Sequence, residues 1–128
     1  MNKPISPKLH GILDYSTIAA TAAAPKLLDF PRNAAIAAYA LAGGYLALSA
    51  LTRYPTAVKK VVPLRAHEIT DIALGGLLPA MPWMLGFGRN RRARNFFLAL
   101  TGVTAAVTAL TNWQGGRGEG LPQAAAAR

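Results

Sequence analysis

The chain has 128 residues, 52% hydrophobic and only 15% charged, with 14 Lys and Arg against 5 Asp and Glu and a net charge of +9. The apolar excess excludes an acidic disordered chain. The lack of cysteine excludes a disulfide scaffold, a thiol nucleophile and Cys-held zinc or iron–sulfur, and the length allows one domain.

Four long stretches are nearly free of charge. Leu9–Pro25 spans 17 residues with Asp14 as its one charge, Asn33–Thr52 spans 20, Ile72–Gly88 spans 17 and Asn95–Gly116 spans 22. About 20 helical residues at about 1.5 Å each cross a hydrocarbon core of about 30 Å. The run Ala34–Leu48 is apolar or small on every side. A soluble bundle helix keeps a polar stripe, and a chain this short cannot wrap four all-apolar helices with itself. The pattern predicts an all-α fold of four transmembrane helices over 7–25, 33–53, 64–83 and 95–113. Lys3, Lys8 and the later Ala22–Ala24 imitate a signal peptide. Pro25 after the small residues, and His10 and Asp14 inside the apolar part, argue against cleavage. A Gly- and Ala-rich tail at 115–128 is expected to be flexible, leaving 1–114 as the membrane domain.

The basic residues cluster at Arg89, Arg91, Arg92 and Arg94, between two apolar spans. That placement predicts a lipid-headgroup anchor and not a nucleic-acid surface. Two spans per unit put both termini on one side. That side holds 8 basic residues against 6 on the other, which places the termini weakly in the cytoplasm.

The chain repeats itself at an offset of 57. His10 meets His67, Asp14 meets Asp71, Pro25 meets Pro82, Leu28 meets Leu85, Phe30 meets Phe87, and Arg32-Asn33 meets Arg89-Asn90. Uncommon residues recurring at one spacing mark an internal duplication, with repeat 1 over 7–54 and repeat 2 over 64–113. The predicted architecture is two tandem helical hairpins, parallel to each other and packed as a bundle. Around each proline the sequence reads Ala24-Pro25-Lys26 and Met81-Pro82-Trp83. This pattern resembles the SPW-repeat family of small bacterial integral membrane proteins, whose Ser-Pro-Trp motif stands late in the first helix of a two-helix unit. The resemblance implies an inner-membrane location and a two-by-two helix layout, and it brings no activity.

His10 and Asp14 share a helix face, as do His67 and Asp71, because residues four apart are neighbours on a helix. A carboxylate in lipid costs about 3 kcal/mol on insertion scales, so the aspartates are expected to point into the bundle. One reading makes each pair polar glue to a neighbouring backbone or Thr, contributing about 0.6 kcal/mol. The functional readings are a proton or ion relay, haem b held between His10 and His67, or a metal site drawing on His10, Asp14, His67, Glu68 and Asp71. No metal ligand set is assigned, and no cofactor is the leading expectation. Thr101, Thr104, Thr108 and Thr111 line one face of the last helix and are expected to bond their own helix carbonyls. No phosphate loop, catalytic triad order or dinucleotide fingerprint occurs. The expected role is therefore non-enzymatic: a structural or accessory subunit, self-associating or part of a larger membrane complex.

Overall fold

The structure is a computed structural model and describes residues 3–114. The tail expected at 115–128 lies outside the described residues. Five helices account for the regular structure among the described residues: α1 Pro7–Leu27, α2 Arg32–Leu51, α3 Leu64–Leu77, α4 Met81–Met84 and α5 Arg91–Leu110. The only β-type pairings among them are two isolated bridges. Among the described residues two helices, α2 and α5, are long and apolar enough to cross a membrane. α1 is long enough but not apolar enough, and α3 with 14 residues is too short.

The single helix expected over 64–83 is in fact two. α3 ends at Leu77, a turn follows, and α4 begins at Met81. The cause is Pro79, which offers no N–H and whose ring crowds the carbonyl of Gly75 four residues back. Ala22 stands at the equivalent place in repeat 1, so α1 runs on through Pro25 to Leu27. At its start, Ser6 accepts a hydrogen bond from the Leu9 amide at 3.1 Å and Pro7 opens the first turn, a common helix beginning.

The Pro-x2-Leu-x-Phe element proves to be a helix stop. In repeat 1 the Phe30 amide donates to the Pro25 carbonyl at 3.0 Å, and in repeat 2 Phe87 donates to Pro82 at 2.8 Å. Between them Asp29 has φ 51° and Gly86 has φ 81°. This is the left-handed turn that satisfies the last carbonyls of a helix, with the residue beyond it packed inward. Phe30 and Phe87 are both buried. A left-handed L-residue costs about 1–2 kcal/mol, so Asp29→Gly should raise stability by about 1 kcal/mol. Chemical unfolding against the parent reads this, and a loss of stability would speak against the shared turn.

The duplication does not keep one register throughout. Arg32 opens α2 and Arg91 opens α5, 59 residues apart, because the turn of repeat 2 carries two extra residues. Arg32-Asn33 and Arg89-Asn90 are therefore not equivalent positions. Asn33 reaches across to the Leu85 carbonyl at 2.6 Å, whereas Asn90 caps α5 through the Ala93 amide at 3.0 Å.

α1 packs on α2 and α3 packs on α5, with α5 also against α1. Phe30 and Phe87 meet in one cluster with Ala34, Ala37, Ala38, Leu78, Ala93 and Phe97, while the His10 and His67 rings lie 5.4 Å apart. α1 and α3 are thus parallel and in register. At the histidine end the repeats exchange backbone bonds. Ile5 pairs with Leu110 and Asn112, and Val62 pairs with Leu51 and Arg53, so each first helix is tied to the end of a second helix.

Candidate functional site

α1 and α3 each bring a His and an Asp to the bundle axis one to two turns inside the helix start. The four side chains close into a ring across the repeats. His10 Nε2 lies 3.3 Å from Asp14 Oδ1 and 3.2 Å from Asp71 Oδ2. His67 Nε2 lies 3.0 Å from Asp14 Oδ2 and 3.5 Å from Asp71 Oδ1. Each carboxylate thus spans both imidazoles, one oxygen to each. The two histidines and Asp71 are buried, and Asp14 is only slightly open.

The other ring nitrogens are held by a matched pair of threonines. His10 Nδ1 is 2.7 Å from Thr111 Oγ1, and His67 Nδ1 is 2.8 Å from Thr52 Oγ1. Each hydroxyl donates its own proton to a helix carbonyl, Thr111 to Val107 and Thr52 to Leu48, both at 2.6 Å. A hydroxyl has one proton, so toward histidine it accepts, and Nδ1 carries the hydrogen in both rings. Both Nε2 atoms then face the carboxylates, fully buried and without an aligned hydrogen bond.

The carboxylates have donors of their own. Tyr45 donates to Asp71 Oδ1 at 2.6 Å, and Ser49 and Tyr54 donate to Asp14 Oδ2 at 3.3 and 3.2 Å. Burial, with the Asp14 carboxylate beside it, pushes the Tyr54 phenol up and keeps it a donor. Tyr54 and Trp113 close the histidine end, with the Trp113 ring 4.7 Å from His10. Thr52-x-Tyr54 and Thr111-x-Trp113 are equivalent at the offset of 59 and supply the same two parts, a hydroxyl and an aromatic lid.

All four residues singled out in the His-x3-Asp pairs come together. Glu68 does not join them; it pairs with Arg65 at 2.9 Å. A Cβ at Gly11, which stands opposite Glu68 in the repeat, would collide with the Thr56 side chain, so the connection between the repeats leaves no room for a matching carboxylate there. Haem between the histidines finds no slot, because carboxylate oxygens stand 3.0 to 3.5 Å from both Nε2 atoms where the porphyrin plane would lie. Toward the far end the ring faces a partly open cavity of about 50 Å³ lined by Thr17, Thr21, Leu41, Leu74, Thr104 and Thr108 among others. Of the threonine stripe on α5, Thr101 and Thr111 bond their own helix carbonyls as expected, while the Thr108 hydroxyl is buried without a partner.

The remaining sequence candidates sit apart from the ring. Pro25 and Pro82 are buried in the helix stops, and Trp83 is exposed beside Gly88. Arg89, Arg91 and Arg92 are exposed, and half-buried Arg94 reaches the Gly88 carbonyl and the Asn95 side chain. Sequence reasoning missed Tyr45, Ser49, Thr52, Tyr54 and Trp113 as parts of the site. The recurrence of Thr-x-aromatic 59 apart was the signal that marks two of each. Comparison with protein-family models, with curated proteins and with solved structures finds no match to this chain.

Proposed function

We propose that this chain is a small multi-pass membrane protein that serves as a structural or accessory subunit, without catalytic activity of its own. The observation that carries this reading is an inverted distribution of polarity. The centre of the bundle holds His10, Asp14, His67, Asp71, Ser49, Thr52 and Thr111, whereas Ile12, Ile36, Leu46, Ile69, Ile72 and Val103 are exposed. Only 11% of the most apolar stretch of α5 is buried and 28% of that of α2. A water-soluble fold of this size exposes scattered apolar residues, not whole helix faces around a charged centre. In a bilayer the same arrangement is favourable, because lipid covers the apolar faces and the ionisable groups pair inside.

Lengths support four crossings. α1 has 21 residues and α2 and α5 have 20 each, close to the about 20 that a bilayer requires. α3, its turn and α4 together cover 64–84, so the two pieces make one broken span, with Leu78 and Pro82 buried at the bend. Arg89, Arg91 and Arg92 surround the positive end of α5, where bare cations are unfavourable and headgroup phosphates offset them. This reading keeps the likeness to SPW-repeat proteins, the inner-membrane location and cytoplasmic termini as parts of the proposal. The ring acts as a clasp between the repeats, and the outer faces are free for lipid, a second copy or a larger complex.

Purification from native membranes tests the role. The account expects the full-length chain to need detergent and to elute either with a constant partner or as a defined oligomer. A monomer without any companion would contradict the accessory role, and recovery of the folded chain from an aqueous supernatant would contradict the membrane reading.

A further inference from the structure

We propose that the ring of His10, Asp14, His67 and Asp71 binds one divalent transition-metal ion of the zinc type, held between the two repeats. The proposal goes beyond the accessory role and stands on the ring geometry alone.

Spacing is the first argument. A ligand atom from each of His10, Asp14 and His67 lies within 4.8 Å of the others, and Asp71 is 3.2 and 3.5 Å from the two Nε2 atoms. In a tetrahedral zinc site with bonds of about 2.0–2.1 Å, neighbouring ligand atoms stand about 3.3–3.4 Å apart. The four His–Asp separations of 3.0 to 3.5 Å fall around that value. Each carboxylate turns a different oxygen to each ring, so a small rotation of both carboxylates would bring one oxygen from each aspartate and one Nε2 from each histidine into a two-nitrogen, two-oxygen set.

The outer contacts are those a metal site requires. A metal-bound histidine donates its other ring N–H to an oxygen that fixes the tautomer, and Thr52 and Thr111 accept from Nδ1 in both rings. Tyr45, Ser49 and Tyr54 anchor the carboxylates. Both Nε2 atoms are wholly buried, aimed into the ring, and lack an aligned partner. A buried polar atom of that kind calls for a ligand. A divalent cation accepts both nitrogen lone pairs and balances two carboxylates, leaving the buried centre neutral. Without it the same centre stays neutral only by taking up two protons. A recess bordered by Lys3, Glu68, Ile72, Thr108 and Trp113 reaches Asp71 from the side. Imidazole with carboxylate suits zinc, cobalt, iron or nickel more than magnesium or calcium.

The test uses the full-length chain in detergent, treated with a chelator and then titrated with Co²⁺ alone. The expected result is one ion per chain with the intense visible bands of tetrahedral cobalt, lost on adding Zn²⁺. Thr52→Val should weaken binding about 10–100-fold by freeing the His67 ring, and Asp71→Asn and His67→Gln should weaken it more while elution volume and helical signal hold. Absence of the cobalt spectrum in the folded parent chain would overturn the proposal. So would Co²⁺ affinity unchanged in Thr52→Val and Asp71→Asn, which places any bound ion elsewhere. None of these outcomes depends on whether the chain is an accessory subunit.

Discussion

His67→Ala is expected to lower the unfolding free energy by about 3–5 kcal/mol, the range for removing one member of a buried ion cluster. The ring explains the size. His67 approaches both aspartates, at 3.0 and 3.5 Å, so its loss leaves two buried carboxylates facing one imidazole. His10→Ala should cost a similar amount, because His10 faces the same two carboxylates from the other repeat. Arg65→Ala is the control. Its partner Glu68 lies outside the ring and Arg65 itself is largely exposed, so a change below about 1 kcal/mol is expected. Unfolding in mixed micelles of rising denaturing-detergent fraction provides the measurement. A cost below about 1 kcal/mol for His67→Ala would mean that the pairs act as separate local contacts, as the sequence alone led one to expect.

Thr52→Val and Thr111→Val are expected to cost about 1–3 kcal/mol each, and nearly the same amount as one another. Valine keeps the shape but cannot accept the Nδ1–H of His67 or His10, which is then buried and unsatisfied. Thr101→Val should be close to neutral, because its hydroxyl serves only the Phe97 carbonyl of its own helix. Unequal costs for the two ring threonines would break the proposed equivalence of the repeats at this end. Equal costs for all three would show that the histidine contact adds nothing.

Much of this arrangement is legible in the sequence, and the part that is not has definite causes. The offset of 57 aligns His10 with His67 and Asp14 with Asp71, and the parallel first helices bring them to one level. Spacing of four also places each His beside its own Asp. It cannot reveal that each His lies equally near the other repeat's Asp, because that depends on how closely α1 approaches α3. The Thr-x-aromatic lids escape the alignment because two extra residues in the turn before α5 shift the second helices to an offset of 59. Reading repeat 2 on the template of repeat 1 also hides the break at Pro79, since proline there has no counterpart. The motif Pro-x2-Leu-x-Phe is visible as a recurrence, but its work as a left-handed helix stop emerges only from φ at Asp29 and Gly86. Tyr45 carries no pattern at all in the chain; its contact with Asp71 follows from where α2 leans.

The central claim is that apolar helix faces meet lipid while the charged ring lies inside. The chain has no cysteine, so single cysteines can be introduced on a silent background at Ile36, Ile72 and Val103 on the outer faces, and at Lys59 and Arg89 in the connections. Labelling by a membrane-impermeant maleimide in sealed vesicles is the most direct measurement. The account predicts no labelling at the three outer-face positions until detergent is added, with Lys59→Cys and Arg89→Cys labelled from opposite sides of the membrane. Labelling of Ile36→Cys, Ile72→Cys and Val103→Cys in intact vesicles, as fast as at the connections, would contradict it.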